Sequence, residues 1–227
     1  MLLGGLIGWI LWMFLPQQYT ASVKLSVNID YNRTGKLDDL EQDKLLGITE
    51  DILHSDSVME PVVRQSSAPD YSSFFKSTAT TRTDKTWTMS VRGKDPEEIS
   101  RSALLWLDTA YSELGSTLDH ALRAEMLQNE LEGFSRCIQD NTFRGTVCPV
   151  SLEEIHQKID SLAARIREEQ LLSGGISTAI RIGPKSPDQL ELRPASRSAA
   201  ADTFFGTVSG LLLAFAMVWF PIKEDRE

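Results

Sequence analysis

The stretch from Trp87 to Ile138, a short strand feeding a very long helix, limits the folds open to this chain more than any other. Trp87, Met89 and Val91 alternate with Thr88, Ser90 and Arg92, the period of a strand with one buried face. Gly93 and Lys94 turn the chain into Asp95-Pro96-Glu97-Glu98, which offers an N-cap acid, a proline at the first helical position and a carboxylate three residues after the cap. Ile99, Ala103, Leu107, Ala110, Leu114 and Leu118 then recur at steps of three or four. Leu127, Leu131, Phe134 and Ile138 carry the stripe on. A helix over 96–138 extends roughly 65 Å, too long for one compact core, so it is expected to project.

Beyond its far end the chain reads as the return arm of a hairpin. Gly145 and Pro149 break the stretch 139–151, and Leu152, Ile155, Ile159, Leu162 and Ile166 then step by 3, 4, 3 and 4, an a/d seam on a returning helix. The hairpin spans about 96–172, with Leu114, Leu118, Leu127 and Leu131 as its packing residues and Trp87 and Trp106 as those of the base. The only two cysteines, Cys137 and Cys148, flank its tip. A bond between them is expected if this region lies outside the cytoplasm, where it would contribute about 2 to 3 kcal/mol; the alternative is two unpaired buried thiols.

On the N-terminal side, Tyr19, Ala21, Val23, Leu25, Val27, Ile29 and Tyr31 alternate with polar residues without a miss, an amphipathic strand. The spacing predicts helices over 36–54 and from Ser57, a loop over 66–73 and a strand over 74–82. Ser173, Gly174 and Gly175 end the return helix, 176–182 reads as a strand, and Pro184, Pro187 and Pro194 mark an extended connector. The fold class is therefore α+β, an α/β base with a projecting helical hairpin.

Two uncharged runs bracket this domain. MLLGGLIGWILWMFL at 1–15 and TFFGTVSGLLLAFAMVWF at 203–220 read as transmembrane helices over 1–16 and 203–221, leaving a central domain over 17–202 and a tail over 222–227. A signal peptide is the alternative for the first, but no basic lead precedes it and no small-residue cleavage site follows it; the missing lead suggests a start upstream of Met1. Trp9, Trp12 and Trp219 fit headgroup anchoring.

Charge and motifs exclude several functions. Lys and Arg total 23 against 32 Asp and Glu, a formal charge of −9, which argues against a nucleic-acid partner. There is no phosphate-binding glycine loop, no nucleophile elbow and no histidine at metal spacing, so no catalytic, cofactor or metal residues are assigned. Asp38-Asp39, Glu97-Glu98 and Glu153-Glu154 lie near helix starts, where the helix dipole favours acids.

Taken in order, these segments resemble the Wzz-type chain-length determinants, or polysaccharide co-polymerases. The resemblance covers nearly the whole chain. It is carried by Tyr19-Thr-Ala21-Ser-Val23 after the first run, Ile52-Leu-His-Ser55-Asp-Ser-Val58-Met59-Glu-Pro-Val62, Trp87-Thr-Met-Ser-Val91-Arg-Gly-Lys-Asp95-Pro96-Glu97 leading to Ala110-Tyr111, and the prolines before the last run. The cysteine pair is not a hallmark of that family, and the C-terminal tail has no tyrosine of the kind found in members fused to an autophosphorylating kinase. The resemblance implies a two-pass plasma-membrane protein with an extracytoplasmic domain in a closed homo-oligomeric ring. It implies no enzymatic activity, and a role beside a membrane polymerase in setting the length of a surface polysaccharide. An activator of a separate tyrosine kinase in polysaccharide export, or a two-span ligand sensor, are the other readings.

Overall fold

The computed structural model describes residues 18–67, 70–140, 142–143, 146–147, 152–185 and 190–194, together with Val208. Its organising element is β1 (Tyr19–Ile29), whose alternation places Ala21, Val23, Leu25, Val27 and Ile29 on one fully buried face. β3 (Thr86–Gly93) runs antiparallel beside it, so that Ala21 pairs with Val91, Val23 with Met89 and Leu25 with Trp87. Each rung thus puts two apolar side chains on the same face. β2 (Thr78–Thr83) pairs with the outer edge of β3. The opposite edge of β1 is shared by β6 (Ile180–Ile182) at its end and β7 (Glu191–Pro194) at its start. The fold is α+β with an antiparallel sheet.

Helices cover the apolar face. α1 (Tyr31–Thr34) is a single turn. α2 (Asp39–Leu53) starts at a capping box in which Asp38 accepts from the Glu41 amide while Glu41 accepts from the Asp38 amide. α3 (Asp56–Gln65) contributes Val58, Met59 and Val62 to the core. α4 (Tyr71–Ser77) replaces the first half of the strand expected over 74–82. The reason is local: Asp70 accepts from the Ser73 amide at 2.6 Å, a cap that starts a turn, and Phe74 then points into the core at 3 % exposure.

α5 (Pro96–Asp140) is the long helix, 45 residues and about 68 Å long. Gly93 permits its close start, since a Cβ there would lie 2.6 Å from the Cγ2 of Ile99. α6 (Leu152–Leu172) returns along it, and Gly174 and Gly175, both at positive φ, turn the chain back toward β6. The stretch between α5 and α6, read as a plain loop, contains a two-rung ladder of β4 (Thr142–Phe143) and β5 (Thr146–Val147). The return strand is shorter than 176–182, and the proline connector is a strand where β7 meets β1. Pro194, which has no N–H to donate, sits on the last rung opposite Tyr19.

The direction of α5 is set by its contacts. It begins three residues after Gly93, which pairs with Tyr19 at the start of β1. Beyond the other end of β1, Arg33 reaches Glu125 of α5. The helix therefore runs alongside β1 and continues past it as residues 126–140, about 22 Å further. Among the described residues no helix is long and apolar enough to cross a membrane. The expected spans 1–16 and, apart from Val208, 203–221 lie outside those residues.

Candidate functional site

Three regions are built in a way that bears on function: the hairpin, the neck that joins it to the base, and the end of the sheet where both chain termini leave. The hairpin has its own apolar cluster, made of Leu127, Phe134, Cys137, Ile155, Leu162 and Ile166, with Leu131 and Ile159 packed against it. The base cluster is separate and includes Trp87, Trp106 and Leu114. The four leucines chosen for hairpin packing therefore divide. Leu114 belongs to the base, Leu127 and Leu131 to the hairpin, and Leu118 to neither. Thr117 and Ala121 take the inward positions, and at the far end Cys137 is buried while Ile138 is 44 % exposed. A stripe read mostly at steps of four, with a single step of three, drifts off a heptad seam, whose mean step is about 3.5.

Trp106 and Trp87 are both wholly buried. Trp106 donates its indole N–H to the Leu53 carbonyl at 3.0 Å, tying α5 to the end of α2. Cys137 is disulfide-bonded. Cys148 lies outside the described residues.

Where the base cluster ends, the buried residues are small, Ala121 its last member and Ala124 beyond it, and polar groups hold the neck. Arg33 donates to both carboxylate oxygens of Glu125 at 2.6 and 2.8 Å and to the Thr178 carbonyl at 3.0 Å. Asp30, at the end of β1, accepts from Arg181 Nε at 3.0 Å and from the Asn32 amide at 3.1 Å. His120 Nδ1 lies 2.6 Å from Glu169 Oε2, joining α5 to α6. Tyr111 donates to the Gly183 carbonyl, and Lys185 pairs with Asp108. Sequence reasoning missed this set because its members lie far apart in the chain, Asp30 and Arg181 by 151 positions.

Asp30 and, in the base, His54 are both held below their ordinary values. The Arg181 hydrogen bond, helped by the Asn32 amide and Arg33, outweighs burial and holds the Asp30 carboxyl below the usual 3.8. Its contribution to stability is complete above 3.8 and disappears as the pH falls through the lowered value. Burial lowers His54 below 6.5, against the pull of Glu50 and Asp51. Its ring packs against Trp106 and Phe75, and Nε2 lies 2.9 Å from the Thr80 hydroxyl. Below 6.5 the unfolded chain takes up this proton more readily than the folded one, so acid destabilises the base. The stability difference between the wild type and His54→Gln should narrow as the pH falls from about 7.5 to about 5. Denaturant unfolding at each pH checks this, and parallel curves would exclude it.

At the other end of the base, the start of β1, Gly93 of β3 and Pro194 of β7 lie on one rung. The chain therefore leaves the sheet before residue 18 and after residue 194 at the same end. A cleft of about 340 Å³ opens there, between the start of α5 and the loop before α4, lined by Ser67, Phe74, Arg92, Lys94, Glu98 and Ser102 among others. Among the described residues no group of three His, Cys, Asp or Glu side chains is placed to hold a metal.

The fold and these regions define an α+β protein in which a helical hairpin with its own apolar cluster stands on a sheet base with another. No protein-family model matches the chain, and no curated protein matches it. It is similar to a solved structure described as a full-length bacterial polysaccharide co-polymerase, with 11 % identity and a TM-score of 0.37, over 96 % of this chain and 90 % of that one.

Proposed function

We propose that the chain is a two-pass protein of a bacterial plasma membrane, its central domain outside the cytoplasm, that acts as a non-enzymatic polysaccharide co-polymerase. In this role it sets the length of a surface polysaccharide together with a membrane polymerase. The observation that carries the reading is the rung on which Tyr19 faces both Gly93 and Pro194. Two chain ends leaving side by side, the first adjoining one uncharged run and the second reaching the other after residues 195–202, suit two spans entering one bilayer from the same side. The hairpin then points away from the membrane, where a growing polymer would be met. The segment order that resembles the co-polymerases supports the same assignment.

Copies associate as a closed ring in this reading. Met126, Ile138, Leu171 and Leu172 leave large apolar side chains exposed on α5 and α6, surface that a neighbouring copy would cover. The partner of Cys137 is Cys148, a bond that suits an oxidising compartment; a non-reducing peptide map lacking that cross-linked fragment would reject it.

The test is the length profile of the surface polysaccharide in a strain lacking the gene and in the same strain complemented. A defined modal length giving way to a broad, short-weighted distribution is expected, with restoration on complementation. An unchanged profile would remove length control as the function.

A further inference from the structure

The side of the sheet away from the core is open, and its charge is opposite to that of the helices on the core side. The alternation that buries Val23, Leu25, Met89 and Val91 turns Ser22, Lys24, Ser90 and Arg92 the other way. The Ser22 and Ser90 hydroxyls meet there at 2.9 Å, and the helices among the described residues pack on the opposite, apolar face. Lys24 and Arg92 stand exposed on this open face, with no carboxylate partner among the described residues. Arg181 and Arg193, which share the face through their rungs with Asn28 and Thr20, are neutralised by Asp30 and Glu191. The open face is therefore net positive in a chain with net charge −9.

On the core side, α2 and α3 bury Leu53 and Met59 in the same cluster as the sheet, so their exposed residues look away from it. Those residues are acidic. Residues 38–65 contain eight carboxylates, all exposed, against two cations, Lys44 and Arg64. Glu50 and Asp51 have no cation partner among the described residues. Leu40, 79 % exposed at the start of α2, adds a large apolar side chain to this surface.

The two surfaces thus lie on opposite sides of the base. Because β1 runs from the exit end of the sheet toward the neck, both look sideways, parallel to the bilayer of the two-span reading, where lateral neighbours would stand. Like placed on like would set Lys24 and Arg92 against their own copies, or acid against acid. A head-to-tail contact opposes the charges instead, and contacts of that kind close into rings.

We infer that the open sheet face of one copy docks on the acidic outer surface of α2 and α3 of the next, with Lys24 and Arg92 opposite its carboxylates and the short hydroxyl side chains between them allowing close approach. The inference rests on the ring reading above and supplies the contact by which its copies meet.

The test uses the full chain in neutral detergent at about 0.15 M salt, with assemblies weighed by native mass spectrometry over a dilution series. Lys24→Glu with Arg92→Glu should weaken association by at least about tenfold, and so should Glu50→Lys with Asp51→Lys. Mixed in equal amounts, the two double variants should reassemble in joint particles containing both, since each reversed surface then meets an opposite one. That recovery also shows that both variants are folded. Either double variant assembling alone as the wild type does would overturn the inference, the result expected if a ligand rather than a neighbour occupied the sheet face. A mixture that stays apart would overturn it as well. A wild type that never associates would overturn the contact and the ring reading together, whereas an unchanged polysaccharide length profile beside intact joint particles would defeat length control and leave the contact standing.

Discussion

Replacing Trp106 with alanine is expected to lower the stability of the base by about 3–5 kcal/mol, the loss typical of a large buried aromatic. The side chain has no exposed surface and belongs to the cluster formed by the sheet, α2, α3 and the first half of α5. Its indole also carries the Leu53 carbonyl, so truncation strands an acceptor at the end of α2. Trp106→Phe separates the two contributions. It keeps most of the volume but loses the donor, and should cost about 1–3 kcal/mol. Denaturant unfolding of the full chain followed by circular dichroism reads both. A loss below about 1 kcal/mol for the alanine variant would mean that the base does not depend on this contact. Trp87, equally buried, has no acceptor for its indole N–H among the described residues, so its removal takes away packing and the contact of its ring with the Arg82 guanidinium, 5.9 Å from the centroid.

Phe134→Ala should act elsewhere in the molecule. Phe134 is 6 % exposed in the hairpin cluster, with the Lys158 ammonium 5.4 Å from its ring centroid. Loss of the ring removes about 3–5 kcal/mol from that cluster. The base shares none of the cluster's residues, and the neck between them is small and polar. Opening should therefore be local. Amide hydrogen exchange in 127–140 and 152–166 is expected to accelerate by about 100-fold or more, the exchange equivalent of roughly 3 kcal/mol. The amides of β1 and β3 should keep their wild-type rates. Uniform acceleration across both regions would show that hairpin and base unfold as one unit. Under the co-polymerase reading, the same variant should shift the polysaccharide length profile while the base stays folded.

The strands, the long helix and its return were legible because each rests on a pattern that nearest neighbours enforce. Alternation over 19–29 and 87–91 can bury only one face, and the cap at Asp95 with Pro96 can start only a helix there. Cys137, Leu127 and Leu131 were placed in the hairpin for the same reason. The strand expected over 74–82 was less secure. Its first residues are equally suited to a turn of helix, and the Asp70 cap decided the matter.

Local patterning was thus enough to specify which segments are strands and helices, that two helices pair, and that uncharged runs bracket the domain. These are properties of spacing along the chain, and they need no distant partner. Only in the folded chain does β7 complete the exposed edge of β1, and so bring Tyr19 and Pro194 onto one rung. Folding likewise assigns Leu114 to the base and Leu127 to the hairpin, and sets Asp30, Arg33 and Arg181 as the lock on the neck. Each of these depends on which edge is unfilled or which charge is near after folding. Residues more than a hundred positions apart leave no mark of that in the local pattern.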